Sequence, residues 1–250
     1  MKVRVIPTVL TDGLTVIKGE KFNNWRTVGS AEATAQLYSS RNVDELMFLD
    51  VTARSRNSLI DLNLLKHFAN VLDTPFSVGG GINSLEDAKS CFKYGAEKIV
   101  IGTAAFRNPE IITKISDVFG NQAVIVAIDF EHDAKNTILI ESGTVEIDVR
   151  IIDFIDSLEH LGAGEILVQS INRDGTFSGM DIKRISEICA ATKLPVIASG
   201  GVGKPSDFLD AFTAGASAVA AGAIFQFTEN TPNTIREFLR ENGVAVREIS

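Results

Sequence analysis

The chain has 250 residues, 45% of them hydrophobic and 22% charged, with a formal net charge of −8. That length and composition fit a domain with a sizeable core and exclude disordered and fibrous classes. No Lys/Arg-rich run supplies the basic stripe that a nucleic-acid binder needs.

Taken in chain order, short β-branched runs alternate with longer amphipathic segments. Strands are predicted at residues 3–8, 45–50, 76–78 and 98–101, with helices over 30–41, 59–71, 84–94 and 109–119. The alternation continues with strands at 123–129, 165–169, 196–198 and 218–221 and helices over 149–161, 181–192, 205–214 and 233–242. Ser84 with Asp87 makes a capping-box-like pair, Pro109 and Pro205 suit a first helical turn, and Gly95 and Gly215 follow helices. The strands are continuous apolar runs, as in a parallel sheet covered on both faces. Eight β–α units over this length predict one (β/α)8 TIM barrel domain, residues 1–250. A doubly wound sheet is the rival, and the GxGxxG that would follow its first strand is absent.

The halves repeat each other. Pro75-Phe-Ser-Val-Gly-Gly-Gly-Ile returns as Pro195-Val-Ile-Ala-Ser-Gly-Gly-Val, and Asp87, Gly95 and Gly102 return as Asp207, Gly215 and Gly222 at the same offset. A constant offset across several elements predicts a barrel built from two half-barrels.

Cys91 and Cys189 are far apart and form no CxxC, so neither a disulfide framework nor a thiolate metal site is expected. His67, His132 and His160 are scattered without metal-ligand spacing. The N-terminal apolar run is too short for a signal peptide or membrane span, and a soluble cytoplasmic protein is the default expectation.

Glycine-rich turns aimed by helix N-termini bind phosphate, and barrels often hold phosphate after strands 7 and 8. Gly200 and Gly201 follow the seventh strand, and Gly222 with Ala223 follows the eighth. The repeat places Gly80 and Gly81 after the third strand and Gly102 with Thr103 after the fourth. Two phosphate seats on opposite sides of one mouth suit a ligand phosphorylated at both ends. The plainer alternative is that these glycines only make tight turns.

Asp129 ends the fifth strand and faces the mouth, where a carboxylate can act as general acid or base. Asp50 and Asp174 lie at the mouth too, as ligand contacts or as loop caps. At the opposite end, Arg4, Glu45, Lys98 and Glu165 stand at strand entries with alternating sign. They form either a paired, stabilising plug or a gate over an axial passage, and pairing alone favours the plug.

These motifs resemble the cyclase subunits of imidazole glycerol phosphate synthase, from histidine biosynthesis. The likeness runs nearly end to end, through Asp44-Glu-Leu-Met-Phe-Leu-Asp, Phe119-Gly-Asn-Gln-Ala-Val, Gly162-Ala-Gly-Glu-Ile-Leu, Arg173-Asp-Gly-Thr and Ile197-Ala-Ser-Gly-Gly. The resemblance implies a bis-phosphorylated substrate and a glutaminase partner on the N-terminal face. It implies ammonia crossing the barrel axis through a gate matched by Arg4, Glu45, Lys98 and Glu165, and no cofactor or metal. Lys18 matches a mobile loop able to close on substrate.

One departure stands out. The family uses two mouth aspartates, and Asp129 matches the second. The first falls on Leu10, or on Val9 by the internal repeat. Asp12 substitutes only if the first strand bulges or slips, and Asn172 stands where the family usually has aspartate. Three readings follow: a cyclase with rearranged first-strand chemistry, a paralogue relaying ammonia towards amidation of a sugar in surface-polysaccharide synthesis, or a non-catalytic subunit that activates a glutaminase.

Overall fold

The computed structural model describes residues 2–13, 15–131 and 137–247; His132 lies outside them. Eight parallel strands close into a barrel: β1 (Arg4–Thr11), β4 (Leu46–Asp50), β5 (Phe76–Gly79), β6 (Lys98–Ile101), β7 (Val124–Phe130), β10 (Glu165–Ser170), β11 (Val196–Ser199) and β12 (Ala218–Ala221). Neighbours pair in that order, and β12 returns to β1 with Arg4 opposite Ala218. The structure is the expected (β/α)8 TIM barrel.

The helices α1 (Ala31–Ser39), α2 (Leu62–Val71), α3 (Leu85–Lys93), α5 (Glu110–Phe119), α6 (Ile151–Leu161), α7 (Ile182–Ala191), α8 (Pro205–Thr213) and α10 (Pro232–Glu241) ring the barrel. Their starts follow capping chemistry. Ser84 accepts from the Asp87 amide at 3.1 Å, while Asp87 accepts from the Asn83 amide at 3.0 Å. Asp61 caps α2, so that helix begins later than residue 59; such a cap contributes about 1 kcal/mol. Gly95 and Gly215 sit beyond their helix ends at φ +98° and +105°, as C-terminal glycines do.

Side chains of a strand alternate between faces. One set of barrel-strand side chains packs against the helices; the other fills the axis with Ile6, Met47, Val100, Ile125, Leu167, Ile197, Ala218 and Ala220. Stepping two residues from this layer towards the strand entries reaches Arg4, Glu45, Lys98 and Glu165. Stepping four the other way reaches Leu10 from Ile6 and Asp129 from Ile125. Charged ring, apolar layer and mouth acid therefore occupy one inward series.

The first strand is longer than residues 3–8, running to Thr11. It neither bulges nor slips: Thr8, Val9, Leu10 and Thr11 pair in unbroken register with Met47, Phe48, Leu49 and Asp50. Val9 consequently packs outwards in the helix-facing core, while Leu10 faces the mouth cavity.

Two antiparallel hairpins not expected from the sequence extend β1 and β7 over the mouth. The first is β2 (Thr15–Glu20) with β3 (Asn23–Ser30); the second is β8 (Ile138–Ile140) with β9 (Val145–Ile147). They follow the first and fifth barrel strands, the same place in each half. Short helices α4 (Thr103–Arg107) and α9 (Ala223–Phe227) likewise follow the fourth and eighth strands.

Candidate active site

The main mouth cavity spans about 940 Å³ counting its open side. Leu10, Asp129, Gln169, Gly80, Gly81, Gly102, Thr103 and Asp50 line it from the barrel, and Phe22, Trp25 and Ser142 from the hairpins. A concave pocket, mostly apolar with a few convergent polar groups, is the usual form of a small-molecule site.

Asp129 is half-buried at the end of β7. Burial, and next the neighbouring Asp174 carboxylate, push its carboxyl up to about 7. A carboxyl poised there can give and take protons near neutral pH. Asp174 is also raised by burial, opposed by Lys18 and by a hydrogen bond with Gln169. Lys18 is buried, and desolvation lowers its ammonium to about 8 against the opposing pull of Asp174.

The two glycine regions differ. At the first, Gly80 and Gly81 turn β5 into its loop beside Gly102 and Thr103. Gly81 has φ +72°, and a Cβ there would collide with the Ser58 carbonyl, so no other residue fits that turn without rearrangement. This region is open to the cavity. At the second, a smaller pocket is lined by Thr8, Lys18, Gln169, Asp174, Ser199, Gly222 and Ala223. Lys18 Nζ donates to the Thr8 carbonyl at 3.1 Å, and a Cβ on Gly222 would collide with that Nζ. The ammonium thus occupies the space beside Gly222. Gly200 and Gly201 lie just beyond Ser199, at φ +92° and +98°, pressed against the backbone of Ser170 and Gly179. Neither α4 nor α9 has a side-chain cap at its first turn. A barrel phosphate site characteristically uses such a short helix.

Asp50 and Asp12 have other partners. The Asp50 carboxylate accepts from Arg56 at 2.7 Å and from the Thr52 amide and hydroxyl at 3.0 Å each, which is loop-capping geometry. Asp12 lies one residue beyond β1, exposed, accepting from the Thr15 hydroxyl at 2.6 Å. It lines a separate groove with Arg56 and Asp61, so the structure does not bring it to Asp129. Without a bulge in β1, the inward place is filled by Leu10.

At the other barrel end Arg4, Glu45, Lys98 and Glu165 close a ring. Arg4 pairs with Glu45 at 2.7 Å and with Glu165, and Lys98 meets Glu45 at 2.9 Å and Glu165 at 2.7 Å. Burial works against the Glu165 charge, but Arg4 and Lys98 hold its carboxyl below the ordinary range. Among the described residues no cluster of His, Cys, Asp and Glu has metal-binding geometry, and no helix is long and apolar enough to cross a membrane.

Sequence reasoning missed Thr8, Gln169 and the hairpin residues Phe22, Trp25 and Ser142. The first two were findable, because each lies two residues from an inward apolar side chain, Ile6 and Leu167. The hairpin residues carry no such period.

Fold and site define a class: a half-barrel-repeat (β/α)8 protein with a charged ring at one end and a hairpin-covered polar mouth at the other. The family model described as "Histidine biosynthesis protein" matches residues 4–231, and the chain belongs to that family. Among its relatives is the imidazole glycerol phosphate synthase subunit HisF of Thermotoga sp. (strain RQ2), 43% identical over 233 residues, covering 93% of this chain and 92% of the relative. The subunits of that name from Pyrococcus furiosus and Hydrogenobaculum sp. are each 40% identical, covering 93% and 98% of this chain and the same shares of their own.

Proposed function

We propose that the chain is the cyclase-type subunit of a glutaminase-coupled synthase, using ammonia on a bis-phosphorylated aminoimidazole ribonucleotide in histidine biosynthesis. The carrying observation is that ring, apolar axial layer and Asp129 stand in one inward series. Ammonia released by a glutaminase on the N-terminal face enters at Arg4, Glu45, Lys98 and Glu165 and reaches the mouth beside Asp129. There it attacks the phosphorylated ligand, and Asp129 carries protons during bond cleavage and ring closure. Gly80, Gly81, Gly102 and Thr103 hold one phosphate; Gly200, Gly201, Gly222 and Ala223 hold the other, with Lys18 giving up its position to it. Asp174 orients polar groups between them, and the hairpins exclude water.

Leu10 favours a second reading. A leucine transfers no proton, and the inward wall of β1 offers no carboxylate opposite Asp129. In that reading the barrel passes ammonia on, and a third enzyme amidates a sugar for surface-polysaccharide synthesis.

The deciding experiment assays the purified chain with the bis-phosphorylated aminoimidazole ribonucleotide and excess ammonium salt at high pH, which bypasses the glutaminase. Turnover that disappears in Asp129→Asn supports the cyclase. Ligand binding without turnover removes the cyclase and leaves the relay, or a subunit that only activates its glutaminase.

A further inference from the structure

The second hairpin is latched over the first glycine region through both loops beside it. The Glu141 amide donates to Thr103 Oγ1 at 3.0 Å, and Ser142 Oγ donates to the Val51 carbonyl at 3.2 Å. To reach them, Glu141 and Ser142 adopt φ of +54° and +58°, a left-handed region that strains a non-glycine residue. The Glu141 side chain then receives two guanidinium groups on one oxygen: Arg54 meets Oε1 at 3.0 Å and Arg107 meets it at 3.1 Å. These two arginines, Arg54 first, hold the carboxyl below its ordinary range, so it stays charged through neutral pH. Arg54 and Ser142 line the same cavity as Gly80, Gly81 and Thr103.

Arg54 comes from the loop after β4, Arg107 ends α4, and Glu141 comes from a hairpin of the other half-barrel. Two cations against one carboxylate leave one positive charge in excess at the rim. An anionic oxygen shared by two arginines is also how a phosphate oxygen is held, and a phosphate brings more charge and more acceptors than a carboxylate. The arginines are about half exposed, with side-chain exposures of 42% and 55%, and such exposed ion pairs contribute little, so partner exchange is easy.

We propose that Arg54, assisted by Arg107, selects the phosphate end bound at the first glycine region, and that Glu141 is an internal stand-in which that phosphate displaces. Displacement frees the hairpin tip and relieves its left-handed backbone. This inference rests on reading Gly80, Gly81, Gly102 and Thr103 as a phosphate seat.

The test titrates inorganic phosphate into the full chain by calorimetry and follows amide hydrogen exchange across residues 138–147. It compares wild type, Glu141→Gln, Arg54→Ala and the double variant. The substituted side chains are solvent-exposed or half-exposed, and thermal melts confirm that each variant folds. Glu141→Gln tightens phosphate about threefold by removing the competitor. Arg54→Ala weakens it about tenfold, as loss of a charged hydrogen bond does. The gain from Glu141→Gln vanishes when Arg54 is absent, and phosphate speeds exchange at the hairpin tip in wild type. The second glycine region is the same in all four chains and cancels. Equal phosphate affinity in all four chains overturns the inference and leaves the phosphate seat standing. No phosphate binding in any chain overturns the seat, and the inference with it.

Discussion

Between about pH 4 and pH 7 the folded chain holds a proton on Asp129 that the unfolded chain has released, because burial and Asp174 raise the carboxyl to about 7. The folded value is the higher one, so this group's stabilising contribution is full at low pH and is lost as pH rises through 7. Asp129→Asn removes that loss. It raises stability at pH 8 by roughly 1–3 kcal/mol, several degrees in Tm, and leaves Tm at pH 4 unchanged. The same substitution lowers turnover by about 100- to 10,000-fold. Melts at the two pH values, set beside the ammonium-driven assay, check both halves. An equal Tm shift at both pH values sinks the raised carboxyl, and full turnover sinks the catalytic assignment. Leu10 belongs to the same balance: an apolar wall adds no charge able to steady a proton on Asp129 and no second group able to move one.

The two hairpins are where elements and sequence part company. The barrel strands were legible because burial on both faces leaves continuous apolar runs, and α3 and α8 because their capping residues are local. The β3 strand is exposed along its whole length and has no alternating apolar pattern to read. The turn before it places Lys21 and Phe22 at φ +53° and +57°, where a tight hairpin normally advertises itself with Asn-Gly. Within the site, the glycines and Asp129 were legible from repeat and strand end. Arg54 with Glu141 was not, because an ion pair across 87 positions leaves no local mark. The first hairpin is held down partly by Lys18, and Gly222 leaves the room for it. Gly222→Ala would put a methyl group against Lys18 Nζ and 2.9 Å from the Thr8 carbonyl. Hydrogen exchange across residues 15–30 then accelerates at least several-fold while α5 and α10 stay protected; unaltered exchange would show that Lys18 does not hold the hairpin.

At the scale of the molecule, the charged ring stands at the far end of the barrel from the mouth acid. Lys98→Ala leaves Glu45 and Glu165 sharing Arg4 alone, and one uncompensated carboxylate in a mostly buried ring lowers Tm by several degrees. With a glutaminase partner present, the ratio of glutamine-driven to ammonium-driven turnover changes at least threefold. A ratio identical to wild type leaves the ring as a plug and nothing more. The half-barrel repeat carries a separate consequence. A mouth with two-fold pseudo-symmetry offers a two-ended ligand two equivalent ways to lie. Here the hairpin of one half sets an ammonium beside Gly222, and the hairpin of the other sets a carboxylate between two guanidiniums beside Thr103. These dissimilar groups, a lone ammonium at one end and a guanidinium pair around a carboxylate at the other, lift the degeneracy, so the mouth has a polarity: a head and a tail for whatever lies across it.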